Sequence, residues 1–186
     1  MALAVHTTEI DGLWIIDLVV NEDPDRPGAT FREAYQGEKM HALGLPEFHP
    51  VQFNVSDSPL GTLRGFHAEP WEKFIHVVSG TAFSAIADIR PDSRTYKKVW
   101  SGELHAHNAL FVTRGLANSF QAVTDMVVYT YLTSAHWQAG LAYPAVAWDD
   151  PELAVAWPIT DDRLKLSAKD TQNPTLADLE GPRESE

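Results

Sequence analysis

The sequence is divided into short apolar runs separated by turn-forming residues, and this pattern constrains the fold more than any other feature. Runs rich in Val, Ile, Phe, Tyr and Thr recur from Ile10 to the 150s, among them LWIIDLVV, FHPVQFNVS, ALFVTRG and MVVYTYLT. Breaks such as NEDPDRPG, SDSPLG and RPDS lie between them. Strand-length runs at this close spacing are typical of antiparallel sandwiches and barrels, so we predict an all-β fold.

Helical periodicity is nearly absent from the chain. The stretch FREAYQGEKMHALG predicts one short peripheral helix, from Arg32 to about Ala42. Near the C-terminus, LKLSAKD is expected to pack back on the barrel, and the tail from about residue 178 is expected to be frayed. Because the 186 residues contain no low-complexity linker, we predict that residues 1–186 form a single domain.

The long run KFIHVVSGTAFSAIADI predicts which side chains share a face of the sheet, because side chains alternate along a strand. If Gly80 makes no bulge, one face suits a dry core and consists of Ile75, Val77, Phe83, Ala85, Ala87 and Ile89. The opposite face is more mixed, as the lining of a barrel pocket would be, and consists of Phe74, His76, Val78, Ala82, Ser84, Ile86 and Asp88.

Composition restricts the compartment and the partners. The chain has no cysteine, which excludes disulfides and thiolate metal sites and favours a reducing cytoplasm. Asp11 and Asp17 interrupt the apolar residues of the N-terminus, so we predict neither a signal peptide nor a membrane span. A net charge of −12 argues against a nucleic-acid surface, although a few converging Arg and Lys side chains can still bind a small anion.

The stretch RGFHAEPWEKF carries more chemistry than a connection between strands needs. His67 is preceded by Arg64 and followed by Lys73, and a neutral imidazole beside fixed cations suits proton abstraction from an acidic C–H bond. The alternative is a polar rim in which Glu69 and Glu72 form ion pairs with Lys73. From these residues alone, the two interpretations remain open.

A metal site is the second alternative for this stretch. Barrels of the cupin type bind metal through two sequence blocks, the first with Gly, five residues and His-x-His, the second ending in His. Here Gly61 leads to His67, but Glu69 replaces the second His and Asn118 the last one. Because one imidazole, a carboxylate and an amide are a poor donor set for a first-row metal, we predict the barrel without a metal.

Tyr129 and Tyr131, in VVYTYLT, share a strand parity. A strand tyrosine usually packs its ring in the core with a solvated hydroxyl. If it points into a polar pocket, it becomes a candidate general acid.

Taken in order, these residues resemble the dTDP-4-dehydrorhamnose 3,5-epimerase family of nucleotide-sugar enzymes. TLRGFH is similar to the family's LRGLH block, FSAIADIR to FDVAVDIR, and FVTRGLANSF to the IPxGFAHGF block. WDDPELAVAWP and LSAKD resemble the two closing signatures and stand in the right order. The resemblance covers most of the chain and implies a cupin-type double-stranded β-helix, a jelly-roll barrel with short peripheral helices.

The resemblance also implies roles for individual residues. His67 is the expected catalytic base, Asp170 its orienting partner, Lys73 the cation beside the developing enolate oxygen and Tyr131 the general acid. The residues expected to contact the diphosphate, nucleotide or sugar are Arg64, Arg26, Gln52, Asn54, Phe31 and Glu33. Family members are homodimers in which N-terminal segments of one subunit help to complete the site of the other, so some of these contacts are expected in trans. The implied epimerisation at C3 and C5 of a dTDP-4-keto-6-deoxyhexose needs no cofactor.

Three positions depart from the family's pattern. Asn118 replaces the His of the AHGF block, Ser84 replaces an Asp, and His136 stands where a Tyr commonly packs against the base of the nucleotide. Asn118 and His136 are therefore candidate substrate-binding residues that change the shape and polarity of the pocket. Two alternatives follow: an epimerase that inverts only one centre, or a sugar-nucleotide-binding cupin that has lost turnover.

Overall fold

The computed structural model describes residues 2–180, which form twelve β-strands, two short α-helices and one 3₁₀ turn. The strands are β1 (Ala4–Thr7), β2 (Leu13–Asp17), β3 (Asn21–Glu22), β4 (Thr30–Phe31), β5 (Gln52–Pro59), β6 (Leu63–His67), β7 (Lys73–Ser79), β8 (Ala82–Asp88), β9 (Val99–Leu104), β10 (Asn108–Val112), β11 (Leu116–Ala122) and β12 (Met126–Thr133). The helices are α1 (Gly37–Ala42) and α2 (Leu176–Glu180), and the 3₁₀ turn is Asp170–Gln172.

Two antiparallel sheets face each other in a jelly-roll arrangement. The larger sheet has the strand order β1-β2-β10-β7-β12-β5, and the smaller has the order β6-β11-β8-β9. The sheets do not close into one continuous barrel, and β3 and β4 form a separate hairpin. The all-β, cupin-type fold predicted from the sequence is confirmed, since few residues are helical and the two antiparallel sheets have the strand orders of a jelly roll.

The side chains between the sheets come from both layers. Leu13, Ile75 and Leu110 of the larger sheet pack against Ile86 and Leu116 of the smaller sheet. A second cluster lies on the outer face of the smaller sheet and a third on the outer face of the larger sheet, where α1 contributes Met40. Each sheet is therefore covered on both faces over much of its area, which explains why so many strand residues are apolar without alternation.

The predicted alternation from Phe74 to Ile89 was wrong across Gly80. Ile75 and Val77 share the central cluster with Ala82 and Ile86, which the prediction assigned to the opposite face. The other members of the predicted dry face, Phe83, Ala85, Ala87 and Ile89, belong to the outer cluster instead. Because Gly80 has φ +80° and the chain passes there from the larger to the smaller sheet, the alternation restarts at β8.

The predicted helix ends where expected but begins later. Helix α1 spans Gly37–Ala42 rather than starting at Arg32, because the Gln36 side chain accepts a hydrogen bond from the backbone N–H of Lys39 and so caps the helix there. The chain that was expected to fray from about residue 178 continues as helix α2 to Glu180, and the rest of that tail lies outside the described residues.

The C-terminal segment packs back on the smaller sheet, as predicted. The N–H of Leu63 donates to the Lys165 carbonyl, and the N–H of Lys165 donates to the Gly61 carbonyl, each over 2.9 Å. Trp157 and Leu176 bury their side chains against this sheet. The segment therefore pairs with the first residue of β6 through Lys165, and the 3₁₀ turn that follows it starts at Asp170.

Within residues 2–180, none of the helices has both the length and the apolar character needed to cross a lipid bilayer.

The contact between Gly61 and the C-terminal segment leads to a stability prediction. Gly61 has φ +82°, and a Cβ atom placed on it would lie 1.9 Å from the Arg163 carbonyl oxygen. Gly44 has φ +101° but nothing within 4 Å of a placed Cβ, so Gly44→Ala should cost only the backbone strain of about 1–2 kcal/mol. We expect Gly61→Ala to lower the free energy of unfolding in urea by about 2 kcal/mol more than Gly44→Ala, because the backbone at Arg163 must move away from the new Cβ atom. Equal losses in the two variants would contradict this role of Gly61.

Candidate active site

A cavity of about 350 Å³, lined by both polar and aromatic side chains, lies between the two sheets. Strands β5, β6, β7, β11 and β12 contribute its walls, and the segment after β12 covers part of its mouth. The lining residues are Gln52, Asn54, Ser56, Arg64, His67, Glu69, Trp71, Lys73, Asn118, Ser119, Phe120, Tyr129, Tyr131, Thr133, Trp137 and Tyr143. The cavity brings together residues from the predicted chemical stretch and from three other parts of the sequence.

His67, the last residue of β6, is hydrogen-bonded to Asp170 across 103 residues of sequence. The distance between His67 Nε2 and Asp170 Oδ1 is 2.8 Å, and the side chain of Asp170 is only 5% exposed. The backbone N–H of Asp170 donates to Ser167 Oγ, whose hydroxyl donates to Asp170 Oδ2 over 2.8 Å. The carboxylate is thus held by a local turn and has one oxygen free for the imidazole.

The hydrogen bonds to Asp170 determine its charge and the tautomer of His67. Burial by itself would raise the pKa of Asp170, but the hydrogen bonds from His67 and Ser167 favour the carboxylate and lower the pKa below its usual value. Since an ionised carboxylate can only accept, Nε2 of His67 carries the proton of the shared bond. In the neutral form of the ring, Nδ1 is then left with a lone pair and can accept a proton, which makes it the candidate base.

Lys73, the first residue of β7, is buried and contacts two polar side chains. Its Nζ lies 2.5 Å from Glu69 Oε1 and donates to Asn118 Oδ1 over 3.2 Å. Asn118 Nδ2 in turn donates to Glu69 Oε2 and to the His67 carbonyl. Burial lowers the pKa of Lys73, and the charge and hydrogen bond of Glu69 act in the opposite direction.

Tyr131 lies opposite these groups on β12, paired with Asn54 of β5 and Ile75 of β7. The Lys73 ammonium is 5.3 Å from the centre of its ring. Burial raises the pKa of the Tyr131 phenol, Glu69 raises it further and Arg64 opposes the change. The phenol therefore keeps its proton at neutral pH. Tyr129 instead stacks on Phe120 at 3.9 Å between ring centres, which is the packing role expected of a core tyrosine.

Four of the predicted substrate contacts line the cavity directly: Asn118, described above, and Arg64, Gln52 and Asn54. Arg64 is exposed at its mouth, whereas Gln52 and Asn54 lie on the inward face of β5. The Gln52 amide donates to Asn54 Oδ1 over 2.7 Å, and Gln52 Oε1 accepts the backbone N–H of Trp137. Gln52 thereby links the cavity wall to the segment that covers its mouth.

Four other predicted contacts do not line the cavity of this single chain. Arg26 pairs with Asp23 beside the β3–β4 hairpin, and Phe31 is exposed on the same hairpin. Glu33 forms an ion pair with Lys39, and His136 is exposed beyond the end of β12. The predicted substrate contacts of these four residues stay predictions. Arg26, Phe31 and Glu33 were expected to act in trans, and their position away from this chain's cavity is compatible with that expectation.

Sequence reasoning gave no role to two aromatic residues that complete the cavity. The ring of Tyr143 stands edge-on to the His67 imidazole at 6.1 Å between centres, and Trp71 contacts Tyr143 from the other side. Tyr143 is positioned because the following residues pair with β6: the N–H of Ala68 donates to the Pro144 carbonyl, and His67 bridges to Ala145. No local pattern marks this segment as a strand partner, so only the pairing itself identifies it.

The residues at the metal-ligand positions of the two cupin blocks do lie close together, but the positive charge of Lys73 beside them disfavours a metal cation. His67, Glu69 and Asn118 surround the region into which Lys73 projects its ammonium, so a metal cation there would meet a like charge. Across residues 2–180, no group of three or more His, Cys, Asp and Glu side chains is arranged to hold a metal ion.

Comparisons with known proteins identify relatives of this chain. The family profile described as dTDP-4-dehydrorhamnose 3,5-epimerase matches residues 7–178. A dTDP-4-dehydrorhamnose 3,5-epimerase of Streptomyces griseus is 35% identical over 92% of this chain and 86% of its own length. A dTDP-4-dehydro-6-deoxyglucose 3-epimerase of Streptomyces bikiniensis is 30% identical over 95% of this chain and 90% of its own length.

A solved structure extends the likeness to three dimensions. RmlC from Streptococcus suis, in complex with dTDP-D-xylose, superimposes with a TM-score of 0.87 at 35% identity, over 95% of this chain and 92% of that one. With the family profile matching nearly the whole described chain, the protein belongs to the dTDP-4-dehydrorhamnose 3,5-epimerase family of isomerases.

Proposed function

We propose that this chain is a cofactor-independent epimerase that inverts C3 and C5 of a dTDP-4-keto-6-deoxyhexose through enolate intermediates. The observation that carries the proposal is the His67–Asp170 pair at a cavity that also contains Lys73 and Tyr131. Each inversion removes one proton and returns one proton to the same carbon, so the reaction is redox-neutral and needs no metal, flavin or nicotinamide.

Deprotonation is the role of His67. The 4-keto group acidifies the hydrogens on both adjacent carbons, and Nδ1 of a neutral imidazole can accept one of them. Asp170 stabilises the imidazolium that forms and keeps the ring in the reactive tautomer, as the carboxylate of a serine-protease triad does. The buried position of Asp170 strengthens this interaction, because water screens it little.

The enolate oxygen requires a positive group that is already in place, and Lys73 supplies it. Its ammonium is fixed by Glu69 and Asn118 on the cavity wall next to His67. One preorganised electrostatic contact of this kind is typically worth about 3–4 kcal/mol of transition-state stabilisation.

Inversion requires that the second proton arrive on the opposite face of the sugar ring. Tyr131 is on β12 whereas His67 is on β6, so the two residues belong to opposite sheets with the cavity between them. Its phenol is protonated at neutral pH because burial raises its pKa. We therefore assign Tyr131 as the general acid.

The nucleotide part of the substrate is proposed to extend from the cavity across a dimer interface. Arg64, Gln52 and Asn54 contribute from the same chain. The outer face of the edge strand β5 exposes Phe53 and Val55, which are 61% and 58% accessible, as expected of a surface that a second copy would cover. In such a homodimer the partner would supply Arg26, Phe31 and Glu33. A cytoplasmic location remains part of this proposal and rests on the absence of cysteine.

A single-centre epimerase is the second candidate, and a specific observation favours it. Asn118 replaces the histidine expected in the family's second block and is committed to Lys73, Glu69 and the His67 carbonyl. It therefore cannot act as a second base. A relative of similar coverage is a 3-epimerase. The third candidate, a binder without turnover, retains the same cavity but would exchange no substrate protons.

Proton exchange distinguishes these candidates. We expect dTDP-4-keto-6-deoxyglucose in D₂O to take up deuterium at both C3 and C5 in the presence of the protein, as followed by ¹H NMR. His67→Asn should slow uptake at both carbons by about 10²-fold or more, because the base is removed. His49→Asn, at an exposed histidine paired with Glu47, is the matched control and should behave as the native protein. Deuterium uptake at only one of the two carbons would support the single-centre epimerase. No uptake at either carbon would support the binder without turnover.

Tyr131→Phe should separate exchange from inversion. The variant keeps the ring next to Lys73 but lacks the phenolic proton, so deuterium uptake should continue while product formation slows by about 10²-fold. Tyr35→Phe, whose hydroxyl bonds the Phe48 carbonyl outside the cavity, is the control. Equal slowing of exchange and inversion in Tyr131→Phe would mean that this residue does not deliver the second proton.

Subunit mixing tests whether Arg26 acts in the partner's site. Arg26→Ala and His67→Asn should each be nearly inactive at low substrate concentration. After subunit exchange between equal amounts of the two variants, about half of the dimers are heterodimers, and one of the two sites in each heterodimer has both native residues. The mixture should therefore recover about a quarter of the native activity. If only the sum of the two residual activities appears, Arg26 does not complete a site in trans.

A further inference from the structure

Glu69 is a carboxylate inside the cavity that contacts Lys73 but exchanges no proton in the proposed mechanism. Its side chain is 11% exposed and that of its partner Lys73 is 7% exposed, so this is not a solvated ion pair of the rim. Glu72, three residues further on, does belong to the rim: it pairs with the exposed Arg114 and accepts a hydrogen bond from Ser134. The two glutamates on either side of Trp71 therefore lie in different environments and have different partners.

Both oxygens of the Glu69 carboxylate have a partner. Oε1 contacts Lys73 Nζ at 2.5 Å, and Oε2 accepts the Asn118 amide over 3.0 Å. The same Asn118 side chain accepts from Lys73 through its Oδ1 and donates to the His67 carbonyl. The result is a closed triangle of Lys73, Glu69 and Asn118 that is attached to the strand carrying the base.

The triangle limits the hydrogen bonds that Lys73 can offer. An ammonium group has three N–H donors, and two of them point to Glu69 and Asn118. The third has no polar partner among the described residues, and the centre of the Tyr131 ring lies 5.3 Å from the Lys73 nitrogen. A group that must stabilise one developing oxygen charge needs only one such donor, provided that its direction is fixed.

We propose that Glu69 is a positioning residue of the epimerisation: with Asn118, it keeps the Lys73 ammonium charged and directs a single N–H towards the enolate oxygen. The inference rests on the proposed function for its catalytic meaning, but the state of Lys73 can be measured without turnover. Glu69 acts through Lys73 and does not itself exchange a proton with the substrate.

The groups that face Lys73 make Glu69 the anion on which its charge depends. Strand β6 contributes the cation Arg64 and the imidazole of His67, and β11 contributes the neutral amide of Asn118. Strand β12 contributes the phenols of Tyr129 and Tyr131, whose pKa values burial raises, so both are neutral. Tyr143 on the covering segment is neutral for the same reason, and the anion Asp170 is engaged by His67 and Ser167.

The sign of the pH effect follows from this arrangement. Burial favours the uncharged amine of Lys73, and Glu69 favours the ammonium. If Glu69 loses its charge, Lys73 should lose its proton at a lower pH. Enolate formation should then decline at a lower pH, since an uncharged amine stabilises the enolate oxygen less.

The test compares Glu69→Gln with Glu72→Gln, both in the Tyr131→Phe background so that no titrating phenol at position 131 contributes. Deuterium uptake is measured from neutral to alkaline pH. We expect the alkaline decline of kcat in Glu69→Gln to shift down by about one pH unit or more, with a smaller change in KM. Glu72→Gln should leave the profile in place, because Glu72 contacts Arg114 and Ser134 rather than Lys73.

A direct measurement of Lys73 separates failure of this inference from failure of the proposed function. The ¹⁵Nζ chemical shift of Lys73, assigned with Lys73→Arg, should report deprotonation at a lower pH in Glu69→Gln whether or not the protein turns over. An unchanged ¹⁵Nζ titration, or an unchanged alkaline decline, would overturn the inference. If Glu69→Gln does not fold, Glu69→Asp provides the test: its carboxylate is withdrawn by one methylene, and an unchanged titration and an unchanged kcat would reject the positioning role.

Discussion

The hydrogen bond between His67 and Asp170 is the interaction on which the site depends, and it exists only because the C-terminal segment is attached to β6. Main-chain hydrogen bonds between Gly61, Leu63 and Lys165 place this segment alongside β6, whose last residue is His67, the proposed base. The Ser167 hydroxyl then fixes the carboxylate within a single turn. The carboxylate and the imidazole are thus positioned by rigid backbone pairing at two neighbouring places, which is the precision that proton transfer requires.

The electrostatics of the cavity follow from burying a few charged groups with defined partners. An isolated ammonium would be driven to its neutral form in such a place, and an isolated carboxylate would be protonated. Here each buried charge has a partner of opposite sign or a hydrogen bond that favours its charged form: Lys73 has Glu69, and Asp170 has His67 and Ser167. The phenol of Tyr131 is kept neutral by the same burial. One low-dielectric space therefore holds the proposed base, the Lys73 cation and the proposed acid in the protonation states that enolate chemistry needs.

The departures from the family's sequence pattern are structurally consistent with each other. Asn118 replaces a histidine, and its amide can bond a carboxylate, an ammonium and a carbonyl at the same time. Ser84, which replaces an aspartate, donates to the Ser119 carbonyl and is fully buried, so its side chain satisfies the backbone of the adjacent strand. Neither Asn118 nor Ser84 carries an imidazole or a carboxylate, so these two positions supply no second His–Asp pair beside His67 and Asp170. The number of inverted centres therefore becomes the main question about this member of the family.

The sequence by itself determined the class of fold and most of the chemistry. Short apolar runs with turn breaks are a local signal of antiparallel strands, and ordered motifs such as TLRGFH and LSAKD identify His67 and Asp170 without any coordinates. The tertiary structure decided what depends on pairing between distant segments. Gly80 moves the chain from one sheet to the other and restarts the alternation, so parity counted across it put Ile86 on the wrong face. Tyr143 reaches the base through strand pairing that no local pattern shows, and Glu69 changes from a rim charge to a buried partner of Lys73 because the Trp71 turn folds inward. Strand propensity and motif order are properties of neighbouring residues, whereas burial and the partner of a charge depend on which remote segments cover it.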